Sequence, residues 1–388
     1  MAPSMIGQYG AWAAQIAGPE PPALSFRRPT FTDVDAWRPA ARKRLLERLA
    51  PPNLEPPVFD PRTATVHRRF TFDGLLVEEL SWQLPHGPRT AAWLLKPADA
   101  TGPLPGVVGL HDHGGQKFFG RDKITRVTGD QHPVMTAHQA DYYGGRAWAN
   151  ELAKRGYVVL VHDAFAFASR RVRLAHMPDF LRDGLEDRDL SDGPVDADYI
   201  AAYNRWAAGH EHLMAKSLFS AGTTWPGVVL AEDQAAVSVL AARDDVDPDR
   251  IGCGGLSGGG LRTVYLAGAD QRIRCAVCVG MMTTWRDYLL NKCHTHTWMV
   301  YTPLLPRELD YPEILGLHAP GAALVLNNRE DPLFTLPEME RADAILAEVY
   351  AKAGAADRYR CTFYPGPHKF DQAMQEEAFA WFDRWLKP

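Results

Sequence analysis

From about residue 103 onward, short apolar runs alternate with windows in which apolar residues recur at every third or fourth position. The runs at 106–110, 157–162, 251–255, 273–279, 322–326 and 359–364 contain few polar residues, as strands buried on both faces of a sheet do. The windows at 147–155, 231–243, 259–269, 337–353 and 372–386 carry helical periodicity. This alternation predicts an α/β fold: a mainly parallel sheet with helices on both faces.

The chain before residue 103 has a different texture. Residues 68–72, 75–83 and 90–95 are strand-like and separated by Asp73-Gly74 and His86-Gly87-Pro88, which predicts two or three antiparallel strands. Earlier still, 35–49 repeats Trp37, Ala41, Leu45 and Leu49 at every fourth position, an apolar stripe that needs a docking surface. Pro51, Pro52, Pro56, Pro57 and Pro61 then make 50–62 a stiff linker. We therefore expect residues 1–62 to form an N-terminal helical arm and linker, and 63–388 a catalytic domain. The stretch at about 165–226 breaks the rhythm, being helical, aromatic and charged, and is expected to be an insertion that caps a site. No internal repeat or low-complexity segment is visible.

Composition narrows the picture. The 388 residues are 46% hydrophobic and 23% charged, enough for a sizeable core. A net charge of −5 without a basic stripe argues against nucleic acid as a partner. No stretch of about 18 apolar residues occurs, and 1–17 lacks a basic segment followed by an apolar one, so a cytoplasmic protein that does not enter membranes is expected. The five cysteines, Cys253, Cys275, Cys278, Cys293 and Cys361, form no disulfide framework. Cys275 and Cys278 lie inside a buried-strand run and read as core.

Chemistry concentrates at the ends of the apolar runs. Gly255-Leu-Ser257-Gly-Gly259 stands between a predicted strand and a predicted helix, where a serine nucleophile on a tight turn needs small neighbours two positions away. A serine hydroxyl needs a base to take its proton and an acid to orient that base. Asp331 follows the run at 322–326 and is the candidate acid, with the adjacent Glu330 as the alternative. His368, in Tyr364-Pro-Gly-Pro-His-Lys, follows the last run and is the candidate base.

An oxyanion also needs two amide donors. Gly258 supplies one; the turn His111-Asp-His113-Gly-Gly115-Gln116 should supply the other through Gly115 or Gln116. His111 and His113 have the spacing of a metal pair, but no third ligand can be placed, and no metal or other cofactor is expected. His294, His296 and Trp298 are expected to line or support the pocket, and His113, Trp225 and Trp298 are candidate substrate contacts.

Together these segments resemble the α/β-hydrolase superfamily and, within it, the dienelactone hydrolase and acetyl xylan esterase-like group. The resemblance rests on His111-Asp-His-Gly-Gly, Leu152-Ala-Lys-Arg-Gly-Tyr-Val-Val-Leu before Asp163, Val246-Asp-Pro-Asp-Arg-Ile-Gly before Ser257, and the three segments bearing Ser257, Asp331 and His368. It implies an α/β-hydrolase fold and acyl-enzyme chemistry on a small-molecule or carbohydrate ester. Dienelactone hydrolases proper carry a cysteine where Ser257 stands, and they lack the arm and the insertion, which moves the expectation from lactone opening to ester hydrolysis. A peptidase, amidase or acyltransferase with the same three residues, a silent receptor or scaffold, and assembly into a homo-oligomer all stay open at this point.

Overall fold

The computed structural model describes residues 4–387. One nine-stranded sheet runs through the molecule: β1 (Thr65–Phe72), β2 (Leu75–Trp82), β3 (Thr90–Pro97), β4 (Leu104–Gly109), β5 (Val158–His162), β6 (Val246–Leu256), β7 (Ile273–Val279), β8 (Ala322–Asn328) and β9 (Tyr359–Tyr364). The spatial order is β1-β2-β3-β5-β4-β6-β7-β8-β9. The first three strands form an antiparallel meander joined to β5, and the six from β5 to β9 are parallel.

Among the described residues, eleven α-helical segments accompany the sheet: α1 (Gly10–Ile16), α2 (Val34–Leu49), α3 (Pro133–Tyr143), α4 (Trp148–Lys154), α5 (Ala197–Ser220), α6 (Trp225–Ala241), α7 (Gly258–Ala269), the single turn α8 (Trp285–Asp287), α9 (Tyr311–Gly316), α10 (Leu336–Lys352) and α11 (Gln372–Leu386). Apolar side chains of α6, α7 and α10 close the core on one face of the sheet, and those of α4 and α11 close it on the other. Cys275 and Cys278 fall in opposite clusters because they sit three residues apart on β7, so they cannot meet. Among the described residues, no helix is long and apolar enough to cross a membrane.

The stripe of α2 is buried against this scaffold. Trp37 is 2% exposed, and Ala41, Leu45 and Leu49 not at all. Burying each leucine stabilises by about 1.5–3 kcal/mol. Polar contacts fix the register: Arg42 donates to the Gly268 carbonyl at 2.9 Å, and the Leu49 carbonyl accepts from the Thr224 hydroxyl at 2.7 Å.

Residues 168–192 form short 3-10 turns that lead into α5, and they build a satellite core with Phe118, Phe119 and Met135. The helix that follows this segment begins earlier than the sequence suggested, at 225 where 231 was expected. Trp225 and Pro226 open α6: Thr224 accepts from the Gly227 amide as its cap, and Pro226 occupies the first turn, where its missing N–H costs nothing. Read without the cap, Thr-Thr-Trp-Pro looks like loop.

Candidate active site

Ser257 lies between β6 and α7 with φ 57° and ψ −117°. A non-glycine residue costs about 1–3 kcal/mol there, so its surroundings must enforce the turn. They do so by close approach. A Cβ on either Gly255 or Gly259 would overlap the Leu110 carbonyl oxygen at the end of β4. The Ser257 amide donates to the Val279 carbonyl and its carbonyl accepts from the Leu261 amide, both at 2.8 Å. The serine is pinned at the edge of the sheet where β4, β6 and β7 end.

Asp331 follows β8 and His368 follows β9, neighbouring parallel strands whose ends bring the two loops together. His368 Nδ1 lies 2.6 Å from Asp331 Oδ2, and Asp331 Oδ1 accepts from the Leu333 amide at 2.9 Å. A carboxylate can only accept, so Nδ1 carries the proton and Nε2 presents its lone pair. Nε2 is buried and has no hydrogen-bond partner among the described residues.

The ring lies against Gly280, the residue after the one that anchors Ser257: a Cβ there would stand 2.9 Å from His368 Cε1. The base is thus stationed beside the elbow, although no hydrogen bond joins it to Ser257 Oγ. Glu330, the alternative acid, turns outward and accepts from the Gly366 amide at an exposed position.

The donor loop requires a correction. The Gly115 amide donates to His113 Nδ1 at 3.1 Å and the Gln116 amide to the His113 carbonyl at 3.0 Å. Both are spent in closing their own turn and neither is available to a ligand. His113 supplies the nearer amide. A Cβ on Gly258 would lie 2.8 Å from His113 N, so the two residues are in close approach, and neither amide donates to another group among the described residues. Gly114 and Gly115, both with positive φ, turn the loop so that the free amide falls two or three residues before the Gly115 or Gln116 that a His-Gly-Gly reading suggests.

The peptide before it is clamped from below. Lys123, fully buried, donates to the carbonyls of Asp112 and His113 at 2.7 and 2.9 Å, and burial pulls its ammonium down to about 8. The Asp112 carboxylate accepts from Tyr143 and faces His138 Nε2 at 3.1 Å. Burial works to raise Asp112, but these partners and Lys123 outweigh it and hold it well below the usual carboxylate range. Sequence reading missed Lys123, His138 and Tyr143. Nothing in their local pattern marks them, since each acts through a fold contact.

The candidate substrate contacts divide. Trp225 is 1% exposed, packed against Phe165 and under the Lys117 ammonium at 4.6 Å. It is a core residue, because as the first residue of α6 its ring points into the sheet layer. The His113 ring is tied to Glu211 at 2.8 Å, so its two nitrogens serve the protein. His111 is likewise engaged, with Nε2 accepting from the Ala164 amide at 3.2 Å. His296 supports the acid loop: Nε2 donates to the Leu333 carbonyl at 3.0 Å, and burial lowers the ring to about 4, keeping it neutral. His294 lies on the surface beside Met5.

Trp298 is 38% exposed and borders a cavity of about 1170 Å³. This cavity lies between residues 5–22 and 285–310, walled by Trp285, Tyr288 and Tyr301, and neither Ser257 nor His368 lines it.

A strained serine at the end of a parallel strand, followed by a helix, with an Asp–His pair at the ends of later strands, is the arrangement of the α/β-hydrolase fold. The comparisons agree. Residues 214–314, which hold the elbow but neither Asp331 nor His368, match the prolyl oligopeptidase family. Over 314 residues the chain is 28% identical to YtaP of Bacillus subtilis (strain 168), a candidate hydrolase by its description, covering 80% of this chain and 88% of that protein.

Among solved structures, a candidate acetyl xylan esterase from Bacteroides fragilis NCTC 9343 superposes with a TM-score of 0.62 at 16% identity, covering 94% of this chain and 84% of that one. A glucuronoyl esterase from Solibacter usitatus superposes with a TM-score of 0.58 at 15% identity, covering 91% and 93%. At such identities these two structures share the fold.

Proposed function

We propose that this chain is a serine hydrolase that cleaves carboxylic esters of small-molecule or carbohydrate substrates. The observation that carries the reading is the His368 ring: oriented by Asp331 at 2.6 Å, its Nε2 unpartnered, and stationed against Gly280 beside Ser257. His368 Nε2 takes the proton from Ser257 Oγ as the oxygen attacks the acyl carbon. The carbonyl electrons move onto oxygen, where the amides of Gly258 and His113 stabilise the charge. The imidazolium, held by Asp331, returns its proton to the leaving alcohol, and the acyl-enzyme is released by water activated in the same way.

Ester cleavage is favoured over peptide cleavage by the esterase descriptions of the structural neighbours, which extend over nine-tenths of the chain. The prolyl oligopeptidase match favours a peptidase, but it covers only the elbow region, whose acyl-transfer chemistry the two classes share.

The test is Ser257→Ala. The purified variant should lose turnover of a p-nitrophenyl ester and lose labelling by a fluorophosphonate, with its thermal unfolding unchanged. Retained turnover would remove Ser257 from the reaction.

A further inference from the structure

We propose that Glu211 is a positioning residue: it holds His113, and with it the amide that faces Gly258, in place for the oxyanion, and so makes the helical insertion a working part of the site. The inference rests on the serine-hydrolase reading above.

Glu211 stands on α5 and is 7% exposed. Its carboxylate gathers donors from two other segments of the chain. His113 Nε2 lies at 2.8 Å and Lys117 Nζ at 2.7 Å; the Thr297 hydroxyl donates at 2.7 Å and the Trp298 amide at 3.3 Å. The two carboxylate oxygens thus take three hydrogen bonds, from His113, Thr297 and Trp298, and an ion pair with Lys117. A buried ionic node of this kind adds little stability, because desolvation of each charge offsets the attraction; what it fixes is geometry.

The geometry it fixes is that of His113. Nδ1 of the ring accepts from the Gly115 amide, so Nε2 carries the proton that meets Glu211, and both ring nitrogens are anchored. Lys123 holds the carbonyls of Asp112 and His113 from the opposite side. With its side chain and both flanking carbonyls tied, His113 has one free polar group, the amide beside the elbow. Loss of Glu211 releases the ring and lets that amide drift.

The test uses Glu211→Gln, and the double variant Glu211→Gln/Lys117→Met, which removes both buried charges together and keeps the fold if the single variant does not. Each is measured by kcat per active site, counted from the end-point fluorophosphonate adduct, by KM, and by affinity for an arylboronic acid, which forms a tetrahedral adduct on the serine. Full loss of one oxyanion donor lowers kcat by about 10²–10³. A loosened donor should lower kcat by about 10- to 100-fold, with KM changed less than about threefold and boronate affinity falling in step with kcat/KM. A residue that serves folding alone would lower the titrated fraction or the melting temperature and leave kcat per site intact. Wild-type kcat per site and boronate affinity in a folded variant overturn the proposal. If Ser257→Ala is inactive in that case, only the role of Glu211 fails; if Ser257→Ala is active, the hydrolase reading fails first.

Discussion

Replacing Asp331 with asparagine changes one atom and should change the base. In the native protein the Asp331 carboxylate accepts from His368 Nδ1–H at 2.6 Å and from the Leu333 amide at 2.9 Å. Asparagine keeps a carbonyl for one of these donors. If it serves Leu333, the amide nitrogen faces His368 and donates to Nδ1, which drives the ring proton to Nε2. The lone pair that should accept the serine proton is then occupied, and the charge that stabilises the imidazolium is gone. In triad enzymes this loss is worth about 10⁴ in kcat. At 1.36 kcal/mol per decade that is about 5–6 kcal/mol of barrier. The loop should survive, since the Leu333 bond is kept, so the melting temperature should move by only a few degrees. The assay is steady-state hydrolysis of p-nitrophenyl acetate, with Glu330→Gln as the control, because Glu330 faces the surface and should matter less than about twofold. A kcat within tenfold of wild type in Asp331→Asn, or a large loss in Glu330→Gln, would refute the assignment of the acid.

Two further outcomes bear on the scaffold. Leu45→Ala in α2 empties a fully buried site and should cost about 2–5 kcal/mol in urea unfolding, a loss under 1 kcal/mol meaning that the arm contributes little to the fold. His318 and His296, each lowered to about 4 by burial, favour the folded state fully above pH 6.5 and lose that contribution as pH falls through 4. For His318, 94% buried and facing the Ala322 carbonyl, the linkage is worth about 2–3 kcal/mol between pH 7 and 4.5, and His318→Gln should flatten the pH dependence of unfolding by that amount. An unchanged slope would show that His318 titrates normally in the native protein.

The parts of this molecule that were legible in the sequence are those whose cause is local. The strands at 273–279 and 359–364 and the helix at 372–386 were read to the residue: the first is a buried apolar run, the second is an edge strand with no buried residue that is still rich in strand-forming Tyr, Thr and Phe, and the helix repeats every 3.6 positions. The elbow was legible for the same reason: Gly255 and Gly259 stand within two residues of the serine whose turn they allow. Boundaries failed where a cap decided them. α6 begins six residues before its predicted start because Thr224 and Pro226 act as helix-opening residues, and these are the same types that end a loop. The short helices α1, α3 and α9 were passed over, since they lie outside the alternation of apolar runs and helical windows by which the equally short α4 was read.

The donor loop shows where local reading stops. His111-Asp-His-Gly-Gly correctly marks a turn after β4, but which amide stays free depends on which carbonyls and rings consume the others. Gly115 spends its amide on a ring nitrogen two residues back, and that ring is oriented by Glu211, 98 residues further along. Nothing around Glu211 in α5 separates it from a solvated helix residue. Its meaning comes from the fold bringing α5, the loop after β4 and residues 297–298 to one point. Glu211 ties the insertion to the loop after β4, so on the function proposed above the insertion is more than a removable lid: deleting it would leave Lys117 as a charge without its ion-pair partner and His113 as a ring without an anchor.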